Sequence, residues 1–263
     1  MTKQKLKILI AILILYILPH LLIKIGNALD PFSIDINAQY QPPSIKYPFG
    51  TDYLGRNLLS RVIYATGLSM KISTLALSIS ISISLILGSL AGFFPNKLPD
   101  KIISWLSSIL ITTPLILLIS ATLSIFEPNI EITYITVGLF TWAVPARLVK
   151  AEVLQVKNST FILAEKALGF KNHQILLKMI PLTIFPALTS SLFTLPELIS
   201  LEVGLSFLGF GSQPPTPSLG KLILTGIMEA NIAWWEALFP ISALALLIIL
   251  IYILARKLTF KPG

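Results

Sequence analysis

The chain has 263 residues, of which 54% are hydrophobic and 12% charged, with a formal net charge of +8. Soluble domains carry about 25% charged residues. Half that share, with a mean hydropathy of +0.82, argues against a soluble enzyme and for a helical protein that crosses a membrane several times. There is no cysteine, which removes disulfides, thiolate metal sites and cysteine nucleophiles. The two histidines, His20 and His173, stand far apart, so no metal site is expected. The basic excess is ascribed to loops on one side of a membrane rather than to nucleic-acid binding.

In chain order, Lys3, Lys5 and Lys7 precede an apolar run over 8–23. A charged start and an apolar centre resemble a signal peptide, and Gly26-Asn27-Ala28 offers a small-residue cleavage pattern. Lys24 beside that pattern, and the length of the run, favour an uncleaved first transmembrane helix over 1–26 with a cytoplasmic N-terminus. Pro19 is placed to kink it, and His20 lies at its far end as an interfacial residue. Residues 27–61 form a polar external segment, where Pro31, Pro42, Pro43 and Pro48 argue against a continuous helix. Asp52 or Asn57 is placed to cap a helix starting near Leu58.

The second span covers about 67–94. Its centre, SISISISL, alternates with period 2 as a strand would. A lone strand leaves its backbone unpaired in lipid, so a helix is expected. On that helix Ser78, Ser82 and Ser89 share one face, and Ser73, Ser80, Ser84 and Ala91 another. Such small-residue faces fit close packing against two neighbouring helices; a polar pathway lining is the functional alternative. The third span, about 102–126, contains Thr112-Thr113-Pro114, a place for a bend. An acidic loop over 127–131 leads to a fourth span over 132–149. A polar loop over 156–181 follows, then a fifth span over 182–207, an external segment over 209–231 and a last span over 232–254. Residues 62–254 thus make a five-helix core, and 255–263 a cytoplasmic tail. Trp234 and Trp235 suit an interfacial aromatic belt. With both termini inside, 14 of the 20 basic residues fall on the cytoplasmic side, as the positive-inside rule requires. No internal repeat of the kind common in secondary transporters is visible.

Phosphate-cradling, zinc-protease and nucleophile-elbow motifs are all missing, so no covalent chemistry is expected. Ionisable groups inside a span are costly and often functional, which makes Glu197 and Glu202 candidate pathway residues; bonding between helices is the plainer role. The loop over 156–181 concentrates Lys157, Glu165, Lys166, Lys171, His173 and Lys178. Ser159 or Thr160 is placed to cap a helix over 161–168, which Gly169 would end in a left-handed conformation. A second short helix over 172–179 is expected to stop at Pro181. Two short helices joined at a glycine make a compact protrusion, with the small Ala164 and Ala167 open to a partner. A solvated loop with no partner is the alternative.

This loop resembles the Glu-Ala-Ala coupling loop of ABC-transporter permeases. Ala164, Lys166, Ala167, Leu168 and Gly169 fit; Leu163 stands at the usual Glu, Glu165 at the second Ala, and Pro181 falls about one residue early. Two longer stretches, YPFGTDYLGRNLLSRVIYATGLSMKI and LEVGLSFLGFGSQPPTPSLGKLI, resemble segments of the dipeptide/oligopeptide/nickel permease family that follow its first and fifth spans. The resemblance covers about 48–254. It implies an all-α membrane protein of the type I importer permease kind, with six transmembrane helices and a cytoplasmic helix-glycine-helix coupling loop. It further implies a second homologous permease subunit and two ATP-binding subunits that carry ATP and Mg. These would couple through Ala164, Glu165, Lys166, Ala167, Leu168 and Gly169. An extracytoplasmic binding protein would face Gly50, Thr51, Asp52, Gly55 and Arg56. The implied activity is import of peptides, nickel or metal chelates across the bacterial cytoplasmic membrane by alternating access, with no cofactor on this chain. An ion-coupled carrier using Glu197 and Glu202 is the rival from another class, and a membrane-embedded assembly factor a third reading.

Overall fold

The computed structural model describes residues 3–126 and 129–259. Every regular element among them is helical: α1 (Lys3–Ala28), α2 (Leu58–Phe93), α3 (Leu98–Thr112), α4 (Leu115–Leu123), α5 (Ile130–Phe140), α6 (Ala143–Lys157), α7 (Thr160–Ala167), α8 (Asn172–Phe207), α9 (Leu219–Met228) and α10 (Trp235–Thr259), with one 3₁₀ turn at Ile36–Ala38. Parts of the acidic loop at 127–128 and of the tail at 260–263 lie outside the described residues.

The 36-residue α2 is the mast, packed against α1, α5, α6 and α8. Asn57, one of the two expected caps, starts it by accepting the Leu59 N–H at 3.0 Å. Hydroxyls along the SISISISL centre turn back on the preceding turn, Ser82 on the Ser78 carbonyl at 2.8 Å and Ser84 on that of Ser80 at 2.6 Å. This leaves small surfaces for neighbours, satisfied at Ser82 and Ser84, whereas the buried Ser80 hydroxyl has no hydrogen-bond partner. Ser73, Ser80, Ser84 and Ala91 are buried, as packing requires. Of the other face, Ser78 bonds the Tyr16 hydroxyl of α1, whereas Ser82 is exposed. The closest approach uses Gly88 and Gly92, which let α6 lie directly on α2.

Two spans are broken, each for an identifiable reason. The α3–α4 pair bends by 92°. Pro114 has no N–H and forces Thr113 into an extended conformation (φ −86°, ψ 134°). The Thr113 N–H and hydroxyl both return to the Ile109 carbonyl, at 3.0 and 2.8 Å, so the helix end is satisfied. The α5–α6 pair bends by 42° just ahead of Pro145, which sits in the first turn of α6. Ser84 of α2 takes the Trp142 carbonyl at that bend, at 2.9 Å. Four helices are individually long and apolar enough to cross a bilayer, and the two bent pairs bring the number to six.

The fifth span corrects one expectation. No short helix stops at Pro181; α8 runs unbroken from Asn172 to Phe207 with Pro181, Pro186 and Pro196 inside it. Prolines are tolerated in membrane helices where hydroxyls and neighbouring helices cover the freed carbonyls. The carbonyls that Pro181, Pro186 and Pro196 leave without a helical N–H are those of Leu177, Leu182 and Leu192. Thr183, Thr189 and Ser190 bond nearby carbonyls instead, those of Ile180, Phe185 and Ala187, at 3.0, 2.8 and 2.8 Å. The polar loop is therefore continuous with the membrane helix that follows it.

One end of the bundle gathers the C-termini of α2 and α6, the start of α3, α7 and the start of α8. A buried cluster of Phe93, Val149, Val153, Ile162, Ile175 and Met179 holds this end together. The larger core joins α1, α2, α8, α9 and α10. It leads to the opposite end, where the segment between α1 and α2 meets α9 and the start of α10.

Candidate functional site

At the first end, α7 is a lever pinned at three points. Ile162 is fully buried among α2, α6 and α8. Gly169 adopts φ +83° with no atom within 4 Å of where a Cβ would stand, and Phe170 N–H reaches back to the Glu165 carbonyl at 3.2 Å. This is the left-handed helix end expected from the sequence. Glu165, only 6% exposed, accepts a hydrogen bond from Lys178 Nζ of α8 at 2.5 Å. The same ammonium lies 4.0 Å from the Phe170 ring centre. Ala164, Ala167, Leu168 and Gly169 are exposed together; the side chain of Lys166 lies outside the described residues. The protrusion thus presents small and apolar groups while its one acid is turned inward.

The inward acid gives an asymmetric prediction. Lys178→Met strands a buried carboxylate whose Oε2 already has no hydrogen-bond partner, whereas Glu165→Ala removes the buried group altogether. Leaving an acceptor unsatisfied costs more than removing both partners. Lys178→Met is therefore expected to increase proteolysis within 158–171 several-fold over wild type. Glu165→Ala and the double variant should both fall below it, and equal cleavage of all three would refute the inward staple.

The helices carrying this lever are tied to their neighbours by polar contacts. Lys150 of α6 pairs with Asp100 of α3, which also accepts from Ser104 Oγ and Asn96 N–H at 2.9 Å each. Arg147 donates to Ser108 Oγ at 2.9 Å, and Lys157 to the Phe93 carbonyl at 2.6 Å. In the sequence Arg147 and Lys150 entered only through the charge bias and Lys157 as part of the polar loop; their spacing on one face of α6 was the available signal.

At the opposite end Asp52 organises a cap. Its Oδ1 accepts the N–H groups of Leu54 and Arg56 at 3.0 and 2.9 Å. Its Oδ2 pairs with Arg56 Nε at 2.7 Å and lies 3.5 Å from Arg61 Nε. Arg61 Nη1 donates to the Pro31 carbonyl at 3.0 Å, tying the cap to the end of α1. Thr51 is fully buried, with its hydroxyl on the Ala38 carbonyl and its own carbonyl taken by Trp235 Nε1 at 3.1 Å. Trp234 is exposed, but Trp235 is buried in this contact, so only Trp234 suits the expected aromatic belt. Gly50 and Gly55 take the positive φ values of +75° and +71° that turn the chain here. Gly50, Thr51, Asp52, Gly55 and Arg56 are therefore all buried. They build the cap, and Tyr53 and residues 213–215 carry its exposed surface.

The candidate pathway acids separate. Glu197 is exposed on α8. Glu202 is 1% exposed and faces the buried Ser69 hydroxyl of α2. The buried Ser73 hydroxyl of the same helix has no hydrogen-bond partner. No group of three or more His, Cys, Asp or Glu side chains suited to a metal occurs among the described residues.

A bundle of up to six candidate spans, with a pinned helix-glycine protrusion at one end and an ion-paired cap at the other, marks a multi-pass helical membrane protein. The family signature matches residues 84–261, and the chain belongs to the binding-protein-dependent transport system inner membrane components. An oligopeptide transport system permease protein, OppC, of Mycobacterium tuberculosis is 30% identical over 240 residues, covering 89% of this chain and 79% of the relative. A dipeptide transport system permease protein, DppC, of Bacillus subtilis is 31% identical over 223 residues, covering 82% and 69%. The OppC of Haemophilus influenzae is 31% identical over 199 residues, covering 75% and 64%.

Proposed function

We propose that this chain is one of two permease subunits of an ATP-driven importer that moves peptides across the bacterial cytoplasmic membrane. The α7 end faces the cytoplasm and both termini lie there, in keeping with the basic bias of that side. Two ATPase subunits, which hold the ATP and Mg, dock on the exposed face of Ala164, Ala167, Leu168 and Gly169. An extracytoplasmic binding protein delivers cargo to the opposite cap. Peptide is preferred over nickel or a metal chelate because the relatives described above are named for peptides.

The observation that carries the reading is the continuity of α7, Gly169 and α8. A partner that moves α7 acts on a lever stapled by Glu165 and Lys178 to a helix running the full depth of the membrane. Closing of the ATPases then rocks α8 and, through the α2–α6 contact, the rest of the bundle. This is alternating access by rigid elements rather than by a melted loop. Copurification of the tagged chain from its native membrane is expected to bring a second permease and ATPases; recovery of the intact chain alone in mild detergent would overturn the reading.

Gly169→Val tests the lever itself. A β-branched residue at φ +83° costs about 1–2 kcal/mol, so ATPase association should weaken roughly tenfold, with Gly169→Asn between it and wild type. Because no atom crowds the position, the effect is conformational. An Asn variant as defective as Val would mean that the partner needs the bare glycine surface instead.

A further inference from the structure

The cap encloses a cavity of about 90 Å³ between the Asp52–Arg61 segment, the proline-rich turn at 214–217 and α9. Asp52, Arg56, Arg61, Lys221 and Glu236 line it. The size decides what it can hold. Small-molecule sites usually occupy about 300–1,000 Å³, so the space suits one side-chain head group and no whole peptide.

Its charges decide the rest. Three cations face two carboxylates. Asp52 is already consumed by Arg56, by Arg61 at 3.5 Å and by two backbone N–H groups. Arg61 is nine-tenths buried and meets Asp52 through a 3.5 Å ion pair, its Nε making no hydrogen bond. Lys221, half-buried, spends its ammonium on the Gln213 side-chain oxygen at 3.1 Å. Both arginines are thus held by Asp52, and among the described residues Lys221 is the lining cation that no carboxylate holds. Glu236, with one unpartnered oxygen, disfavours a multiply charged anion such as phosphate. A single carboxylate fits both the unpaired Lys221 ammonium and the volume.

We propose that this cavity receives the carboxylate of one aspartate or glutamate side chain from the binding protein, held by Lys221 and Arg61. The inference rests on the importer reading above and assigns that partner's point of attachment. It also explains why the segment before α2 and the turn after α8 are folded together: neither forms the pocket alone.

The test uses the assembled importer in lipid nanodiscs with its own binding protein. Lys221→Glu is expected to weaken binding-protein association by at least about tenfold, with a shallower salt dependence. Copurification of the other subunits should persist, showing that the complex still assembles. Changing the responsible acid on the binding protein to lysine should restore association with the Lys221→Glu permease alone. Unchanged association of the Lys221→Glu complex overturns the pocket but leaves the importer reading standing. A wild-type complex that recruits no binding protein overturns both. Unchanged association with uptake lost only for peptides bearing a free C-terminal carboxylate, and not for amidated ones, also overturns the proposal by making cargo the source of the charge.

Discussion

Asp52→Ala is expected to prevent the purified chain from holding its native cap. The carboxylate stands between two guanidinium groups, is 3% exposed and accepts from two backbone N–H groups at once. Removing one partner of a buried ion pair strands the other charge, at a cost of about 3–5 kcal/mol. Arg56 and Arg61 would both be left facing each other in a poorly hydrated site. Asp52→Asn keeps an oxygen for Leu54 and Arg56 N–H groups but loses the charge, so it should fall between wild type and Ala. Thermal denaturation in detergent, followed by loss of the monodisperse peak, ranks the three. An alanine variant that melts with the wild type would show that the turn at 50–57 is held by Thr51 and Trp235 alone.

The reach of the sequence was set by how local each signal is. Asn57 as a cap, the left-handed Gly169 and the break at Pro114 depend on one residue and its immediate neighbours, and each could be read directly. The burial of Ser73, Ser80 and Ser84 followed from helical spacing. Pro181 misled because helix-breaking rules describe water, whereas helices in a membrane tolerate proline. The pairings that build the sites were not legible. Lys178 lies 13 residues from Glu165, Lys150 lies 50 from Asp100, and Trp235 lies 184 from Thr51. Charged residues that read as topology markers turn out to be clamps between helices. Within the two long motifs, Gly50, Thr51, Asp52, Gly55 and Arg56 form the buried framework of the cap, while Tyr53 and Gln213 are exposed on it, a division that burial decides and sequence does not display.

Gly88→Val is expected to uncouple the two ends of the molecule. A Cβ at Gly88 would stand 2.6 Å from the Ala146 carbonyl oxygen and 2.8 Å from Val149 Cβ. At Gly92 the corresponding distances are 2.8 Å to the Lys150 carbonyl oxygen and 2.8 Å to Val153 Cβ. Backbone oxygens cannot swing aside as a flexible side chain does, so α6 itself must move. Overpacking of this kind costs about 1–3 kcal/mol or more. Displacing α6 also loosens the grip of Arg147 and Lys150 on α3, and α7 follows α6 by a two-residue connection. Peptide uptake in proteoliposomes should therefore fall by about tenfold or more at a cost of that size, while cap-dependent binding at the far end changes little. Gly204→Ala is the control: there the nearest atom is the tip of Ile116, Cδ1 at 3.2 Å, which can give way. If Gly88→Val transported as well as Gly204→Ala, the α2–α6 contact would be packing alone and the motion would have to travel through α8.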